Sequence, residues 1–331
     1  MKMVMKTRKV NLEVLQMLPV ADAAAILGIS PVRLKQILKE DGLPHARGPS
    51  GYITLEHGTL RDLMKARGIQ YQSRVCTLGI EKGGTGKSTC SLLLSLYAAR
   101  HRGAKVLLCD MDPEASASLF LAPDDFEIGT AGTILEVFSQ GRQILDFVQS
   151  SRFPGVDFLP SRSVSRRVDK FIHNANPKKF LRERMVGLRE IYDLVLFDVP
   201  PSFGPIHAAC YLSSDYVAAI VNGDVFSLES LALTREDIFE LAEKFDSKPP
   251  EFRVFRNRFG MNRRNAKETH AELQRDFSRE LLPFFLRESA VVANCINDGR
   301  SPFEGRGNSD LKDVFGDLFD ALMKPDEVTT K

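Results

Sequence analysis

Two hydrophobic patterns follow one another along the chain, and they predict two kinds of structure. Over residues 18–39, apolar side chains recur at helical spacing in two short stripes separated by Gly28. From residue 74 onward, short apolar runs alternate with helical segments, which is typical of a parallel sheet covered by helices on both faces. The patterns predict a small, mainly helical domain over residues 1–72 and an α/β domain with a mainly parallel, doubly wound sheet over residues 73–331.

The first domain carries the signals of a helix-turn-helix. Gly28 suits the left-handed residue that ends a helix, and Ser30 and Pro31 suit the cap and first position of the next. The expected apolar stripes are Ala23, Ala24 and Leu27 in the first helix and Val32, Leu34, Ile37 and Leu38 in the second. A predicted hairpin over residues 43–53 and a predicted helix over residues 55–67 complete a winged helix-turn-helix.

Such a domain places its second helix in the major groove of DNA. The polar side chains predicted to reach bases and phosphates are Arg33, Lys35, Gln36 and Lys39 on that helix and Arg47 at the tip of the hairpin. The alternative is an alanine-rich helical hairpin used for dimerisation or packing.

Six apolar runs in the second domain predict the strands of its sheet. They are residues 75–80, 105–110, 156–159, 194–199, 216–221 and 252–256. A glycine-rich loop follows the first of them, at residues 81–86, and a helical segment over residues 90–102 comes next. Backbone N–H groups of such a loop surround phosphate oxygens, so we expect Lys87 to contact β- and γ-phosphates and Ser88 to bind Mg²⁺.

Carboxylates end two other predicted strands, at Asp110 with Asp112 and at Asp198. The carboxyl ends of parallel strands form one edge of the sheet, where ligands of open α/β folds bind. Mg²⁺ prefers hard oxygen ligands. The glycine loop and these carboxylates therefore predict one phosphate and magnesium site, although Glu81 stands where the strict P-loop pattern has its first glycine.

Three segments resemble the signature motifs of the ParA/MinD family of deviant P-loop ATPases: residues 82–89, 110–113 and 198–204. A weaker similarity continues through residues 224–230 and 294–303. The resemblance implies a P-loop NTPase fold and a homodimer that sandwiches two ATP molecules.

The resemblance also implies roles for individual residues. Lys82 would contact the phosphates held by the partner subunit, Asp112 would orient the attacking water, and Asp110 and Asp198 would support Mg²⁺. Asn257 would contact adenine, or it is simply a turn residue at a strand end. The remaining nucleotide-binding positions of the loop are Gly83, Gly84, Thr85, Gly86 and Thr89. Family resemblance further implies slow hydrolysis that a partner accelerates.

Charge and cysteine content indicate the class of partner and the cellular compartment. Lys and Arg total 45 against 43 Asp and Glu, but residues 1–72 hold eleven basic and six acidic side chains, which favours DNA. The five cysteines are far apart in the sequence, which favours free thiols in a reducing cytosol. The helix containing residues 311–322 has an acidic polar face that anionic lipid would repel. We therefore expect a soluble, cytoplasmic, nucleoid-associated protein without membrane binding, whose last helix packs on its own domain.

The layout resembles plasmid partition ParA proteins that carry an N-terminal DNA-binding domain. The resemblance implies operator repression by residues 1–72, ATP-dependent nonspecific DNA binding, and a ParB-type centromere-binding partner. The side chains proposed for nonspecific binding are Arg287, Arg300 and Arg306. The basic segment 161–189 is a second candidate, or a solvated helix face. Alternative functions are a positioning ATPase for a protein cargo and a transcriptional repressor that senses ATP.

Overall fold

A computed structural model describes residues 17–47, 51–127, 129, 131–172, 176–260, 262–304 and 308–323. We call residues 17–72 the N-terminal module and residues 73–323 the sheet domain. The elements of the N-terminal module are β1 (Met17–Pro19), α1 (Val20–Ile26), α2 (Pro31–Glu40), β2 (Ala46–Arg47), β3 (Ile53–Glu56) and α3 (His57–Ala66). Its three strands pair antiparallel in the order β1-β3-β2, and its helices enclose a separate hydrophobic core.

The turn between α1 and α2 forms as the sequence predicts. Gly28 has a φ of +64°, a conformation that glycine adopts without strain. The Ser30 hydroxyl accepts a hydrogen bond from the Arg33 backbone N–H at 3.1 Å, and Pro31 takes the first helical position. Ala23 and Ala24 are fully buried, and their small side chains allow α2 to pack closely on α1.

Two details of the predicted module are wrong. Val32 does not belong to the buried stripe of α2, since its side chain is 66% exposed. At about 100° per helical residue, Val32 lies about 200° from the buried Leu34. Leu55 belongs to β3 and not to a helix, because it pairs with Leu18 of β1 and is fully buried there. The helix that follows begins at His57.

The sheet domain contains eight strands. They are β4 (Arg74–Leu78), β5 (Val106–Asp110), β6 (Gln149–Ser150), β7 (Val156–Leu159), β8 (Leu194–Asp198), β9 (Tyr216–Val221), β10 (Glu251–Arg256) and β11 (Leu281–Phe285). Their order is β11-β10-β9-β4-β8-β5-β7-β6, and all pairs are parallel except β6 with β7. The six predicted strands are confirmed to within two residues at each end. The sequence analysis missed β6 and β11, the two edge strands.

Helices connect the strands and cover both faces of the sheet. They are α4 (Lys87–Arg102), α5 (Ser116–Leu121), α6 (Ile134–Ser139), α7 (Asp169–Ile172), α8 (Pro177–Arg182), α9 (Leu188–Ile191), α10 (Pro205–Ser213), α11 (Val225–Lys244), α12 (Arg264–Asp276), α13 (Ala290–Asn297) and α14 (Ser309–Met323). Short 3₁₀ turns span Ile144–Asp146 and Ser163–Arg167. Within the described residues, no helix is both long and apolar enough to span a bilayer.

The last helix, α14, packs on the core of its own domain, as predicted. Phe315, Leu318 and Leu322 are fully buried in the same hydrophobic cluster as the aliphatic side chains of α4. On the other face of α14, Asp320 accepts a hydrogen bond from Arg102 at 3.0 Å. The apolar stripe of this helix is therefore used within the fold.

The N-terminal module packs against the amino-terminal edge of the large sheet. Arg61 forms a two-pronged ion pair with Asp193, the residue before β8, and also donates to the Gly103 carbonyl at 3.3 Å. Asp22 of α1 pairs with Arg100 in the last turn of α4 at 2.9 Å. Helix α4 is about 24 Å long, from 16 residues at 1.5 Å each. Helix α4 begins at Lys87, directly after the glycine loop, and its last turn contacts the N-terminal module.

Glycine at position 155 is required by this domain contact. Gly155 has a φ of +77°, and a Cβ there would lie 2.3 Å from Nε2 of His57, whose ring is buried at the interface. Gly141 also has a positive φ, of +64°, but a Cβ there would meet nothing within 4 Å. Alanine substitutions at the two positions therefore distinguish backbone strain alone from strain combined with steric overlap.

We expect Gly155→Ala to lower the free energy of unfolding by about 3 kcal/mol, because strain and overlap add. Gly141→Ala should cost only about 1 kcal/mol, from strain alone. The chain has no tryptophan, so urea unfolding followed by circular dichroism is the suitable measurement. Equal losses in the two variants would show that the contact between His57 and Gly155 contributes little.

Candidate functional site

The glycine loop lies at the carboxyl-terminal edge of the sheet, between β4 and α4. Gly84 and Gly86 have φ values of +73° and +91°. A Cβ at Gly86 would come within 2.4 Å of the Asn257 side-chain nitrogen, so only glycine fits. Lys87 is buried, and its ammonium donates to the Lys82 carbonyl at 2.7 Å. Burial lowers the pKa of Lys87, while the charges of Asp198 and Asp112 oppose this effect. The lysine is held inside the loop, where phosphate oxygens are expected.

Asn257 supports this loop from β10. Its side chain is buried, and Nδ2 donates to the Thr85 carbonyl at 2.7 Å. Its Oδ1 accepts from the Arg258 backbone N–H at 3.0 Å. With its amide oriented to satisfy its neighbours, Asn222 at the end of β9 donates to the same Thr85 carbonyl at 3.3 Å. The amide of Asn257 is thus already bonded to the loop, and a contact with adenine stays a prediction.

The three predicted carboxylates lie together, but in different environments. Asp110 and Asp198 are fully buried and occupy paired positions in β5 and β8. The Ser118 hydroxyl and backbone N–H donate to Asp110 Oδ2, and the Asp112 backbone N–H donates to its Oδ1 at 3.1 Å. Asp110 therefore fixes the loop that carries Asp112. Asp112 is only partly buried, and its Oδ1 accepts from the Glu114 backbone N–H at 2.9 Å.

Asp198 is the carboxylate with capacity for a further ligand. Its Oδ1 accepts from the Ser91 hydroxyl at 3.3 Å, and the Ser88 hydroxyl lies close enough to the carboxylate to lower its pKa. Its buried Oδ2 accepts no hydrogen bond of good geometry from the described residues. Burial, and then the charge of Asp110, raise the pKa of Asp198 to about 8. A buried acceptor without a donor is suited to a cation. Within the described part of the chain, no three His, Cys, Asp or Glu side chains form a metal cluster.

The raised pKa of Asp198 predicts how stability depends on pH. Its folded-state pKa of about 8 lies above the value of about 3.9 in unfolded chains, so the native state binds more protons between these values. The stabilising protonated form is lost as pH rises through this window. We expect the Tm of nucleotide-free protein to fall from pH 5 to pH 8 by at least about 2 °C more in wild type than in Asp198→Asn.

The exposed carboxylate Asp62 provides the matched control. Asp62→Asn should follow the wild-type melting curve against pH, measured by circular dichroism. Parallel curves for wild type and Asp198→Asn would contradict the assignment of the proton to Asp198.

Lys82 is held by the start of α11, a contact that the sequence analysis missed. Its ammonium forms an ion pair with Asp224 and lies 3.1 Å from the Ser227 hydroxyl. Asp224 also caps α11 by accepting from the Ser227 backbone N–H at 3.0 Å. Partial burial raises the pKa of Asp224, but the Lys82 contact outweighs it and lowers the pKa overall. Asp is a favoured N-cap residue, but nothing in the sequence indicated Lys82 as the partner of Asp224.

The predicted DNA-contacting side chains lie in two regions. Arg33, Lys35, Gln36 and Lys39 are exposed on α2, and Arg47 is exposed on β2. Arg33 also pairs with Glu40 at 3.3 Å. Arg287 and Arg300 are exposed near α13, where Arg300 pairs with Asp298 at 2.6 Å, while Arg306 lies outside the described residues.

Several side chains of the basic segment 161–189 make internal contacts. Arg162 pairs with Glu136, and Arg184 lies over the ring of Phe180 at 4.0 Å. Lys178 donates to the Ser247 hydroxyl at 2.9 Å. Arg166 and Arg167 are exposed. The segment is thus part structural and part solvated.

Comparisons with known proteins agree with this geometry. A protein-family model described as AAA domain matches residues 73–248. The cell division protein PomZ of Myxococcus xanthus is 29% identical over 251 residues, which are 73% of this chain and 76% of PomZ. A Thermus thermophilus protein named as a plasmid-partitioning ParA is 28% identical over 237 residues, 71% of this chain and 68% of its own length.

A solved structure named Partition Protein is similar with a TM-score of 0.63 at 16% identity, and the match covers 94% of each chain. At this identity the likeness shows the fold, an α/β P-loop arrangement around a mostly parallel sheet. Because the match covers 94% of this chain, it includes at least part of the N-terminal module.

Proposed function

The chain belongs to the AAA domain family, and on this premise we propose that it is a ParA-type ATPase that drives DNA partition. In this proposal the protein binds ATP and Mg²⁺, dimerises through the bound nucleotides, binds nucleoid DNA without sequence preference, and represses its own operon. The main supporting observation is the meeting of Lys87, Asp112 and Asp198 at one sheet edge, with a second lysine, Lys82, at the start of the loop.

Each residue of the edge has a distinct task in hydrolysis. Lys87 and the backbone N–H groups of residues 83–89 would bind the phosphates, and Ser88 and Asp198 would hold Mg²⁺, which would neutralise charge on the phosphates. Asp110, whose two oxygens already accept hydrogen bonds, would support the Mg²⁺ shell indirectly. Asp110 fixes the loop through the Asp112 backbone N–H, so that the Asp112 carboxylate orients the attacking water. Such catalysis is mostly positioning and charge stabilisation, and a slow rate that a ParB-type partner raises suits a timer.

Dimerisation requires Lys82 to change partners. In this structure Asp224 and Ser227 hold its ammonium, and in the proposed dimer it contacts the phosphates bound by the partner subunit. A second cation there offsets the repulsion between two nucleotides brought face to face. Val225 and Phe226, beside this ion pair, are 63% and 68% exposed, and a second copy of the chain would cover them.

The N-terminal module supplies sequence-specific DNA binding in this proposal, as a winged helix-turn-helix. Helix α2 exposes Arg33, Lys35, Gln36 and Lys39, and β2 exposes Arg47 as part of the wing. The contacts of Asp22 and Arg61 join the module to the sheet domain at the far end of α4. A dimer formed at the nucleotide edge would therefore set the distance between two α2 helices, so that nucleotide state controls operator binding.

A positioning ATPase for a protein cargo is the second candidate, and the similarity to a cell division protein favours it. It shares the nucleotide chemistry but has no need of operator binding. A repressor that senses ATP shares operator binding but has no need of nonspecific DNA binding.

Selection of bound sequences from a random DNA pool tests the operator part. We expect full-length protein with ADP to enrich one sequence motif, and Gln36→Ala with Arg33→Ala to lose it while the fold is retained. The matched control is Arg166→Ala with Arg167→Ala, which changes two exposed arginines of the sheet domain. A pool without an enriched motif would contradict operator binding and favour cargo positioning.

A further inference from the structure

A cleft of about 470 Å³ lies between α12 and the edge strand β11, away from the glycine loop. Its lining contains polar and apolar side chains, which are Arg256, His270, Gln274, Ser278, Leu281, Pro283 and Phe285. The volume is within the range of about 300–1,000 Å³ found for small-molecule sites. The function proposed above does not use this cleft.

Arg256 places a buried positive charge in the wall of the cleft. The residue is only 3% exposed, and among the described residues no carboxylate pairs with it. Its guanidinium carbon lies 5.2 Å from the centroid of the Phe285 ring and 5.7 Å from that of Phe259, which are contacts that carry no negative charge. Nη2 donates to the Leu282 and Phe284 carbonyls at 2.9 and 3.3 Å, and Nη1 lies 3.0 Å from His270 Nδ1. A guanidinium has five N–H hydrogens, so these contacts leave two without a protein acceptor. A buried cation without an acidic partner is costly.

His270 provides a second hydrogen-bond donor, and its contact with Arg256 determines which ring nitrogen carries the hydrogen. Arginine can only donate, so His270 Nδ1 accepts from Arg256, and the neutral ring carries its hydrogen on Nε2. Partial burial and the charge of Arg256 lower the pKa of His270, which keeps this neutral form at pH 7. Gln274 and Ser278 are exposed at the rim of the cleft. The lining of the cleft therefore presents hydrogen-bond donors around one charge that no carboxylate of the described residues neutralises.

We propose that this cleft binds a small organic anion, with a carboxylate or phosphate group at Arg256 and His270 and an apolar part against Pro283 and Phe285. The bound anion supplies the negative charge that the fold does not. The site also adjoins the nucleotide loop, because the next residue, Asn257, donates to the Thr85 carbonyl. An occupied cleft would steady the strand end that carries this support.

The test uses full-length protein labelled with ¹³C-histidine, in which His270→Gln identifies the His270 signal among six histidines. The probes are phenylacetate for carboxylates, phenyl phosphate for phosphates and 2-phenylethanol as the neutral control, each added to about 20 mM. We expect at least one anion to shift the His270 signal with saturation and the alcohol to leave it unchanged. An anion bound at the glycine loop would not respond to a charge at the rim of the cleft, so the variant Gln274→Glu separates binding at the cleft from binding at the loop.

Gln274→Glu is the diagnostic variant, because it adds a negative charge at the exposed rim without altering the buried contacts of Arg256. We expect it to weaken the anion at least about five-fold with an unchanged Tm, whereas Gln274→Ala should bind nearly as wild type. The proposal is overturned if neither anion shifts His270, if the alcohol shifts it equally, or if Gln274→Glu binds as tightly as Gln274→Ala. None of these measurements uses ATP or DNA, so a failure of this proposal would not count against the proposed partition function.

Discussion

Lys82→Ala is expected to abolish ATP-dependent dimerisation while leaving nucleotide binding by the monomer nearly intact. The P-loop lysine, Lys87, is buried and contacts the loop independently of the Lys82 ammonium. Lys82 instead lies at the mouth of the site with Asp224 and Ser227. Without its charge, two ATP molecules and their carboxylate surroundings repel each other across the interface, so we expect dimer affinity with ATP to fall at least about 100-fold.

Light scattering after size exclusion, with ATP and with ADP, measures the dimer, and a fluorescent ADP analogue measures binding to the monomer. Lys178→Ala is the matched control. Lys178 also donates to a serine hydroxyl, that of Ser247, but it is not part of the glycine loop. It should dimerise as wild type. A Lys82→Ala protein that still forms the ATP dimer would refute the sandwich arrangement.

Asp112→Ala is expected to have the opposite combination of effects, with hydrolysis lost and the ATP dimer retained. Asp112 does not support the glycine loop, and its backbone N–H, which donates to Asp110, is unchanged by the substitution. The substitution removes the carboxylate that orients water, together with the hydrogen bond that this carboxylate accepts from the Glu114 backbone N–H. We expect turnover to fall at least about 100-fold, the scale of losing a positioning group in phosphoryl transfer, so that dimers accumulate with ATP.

Phosphate release and light scattering on the same sample measure both effects. Glu114→Ala is the control, since it removes an exposed carboxylate two residues along the same loop. It should hydrolyse ATP as wild type. Full turnover in Asp112→Ala would show that another group orients the water.

The meeting of Asp110, Asp198 and the glycine loop at one sheet edge was predictable because its signals are local. The strands β5 and β8 are apolar runs that end in Asp110 and Asp198. Parallel pairing then brings these ends together without any further information. The cap at Ser30 and the turn at Gly28 were predictable for the same reason, since a cap and a left-handed turn each depend on one or two residues.

Features that depend on distant contacts were not predictable. Lys82 and Asp224 are 142 residues apart, and no local pattern pairs them. Leu55 has a helical setting in the sequence but pairs with Leu18 in a sheet. The edge strand β11 contains Pro283 and pairs with β10 through an irregular register, so its strand signal is weak. The bond from the Asn257 amide to the Thr85 carbonyl was not predictable for the same reason, since 172 residues separate the two.

Binding to random-sequence DNA with ATP, with ADP and without nucleotide tests the account most directly. Fluorescence anisotropy at two salt concentrations, on wild type and Lys82→Ala, measures it. A nucleotide-controlled partition switch should give binding that appears only with ATP, weakens steeply with salt because phosphate contacts dominate, and is absent in Lys82→Ala. Binding that is the same in all nucleotide states and survives in Lys82→Ala would contradict a nucleotide-controlled partition switch and would instead identify a repressor that carries an ATP sensor.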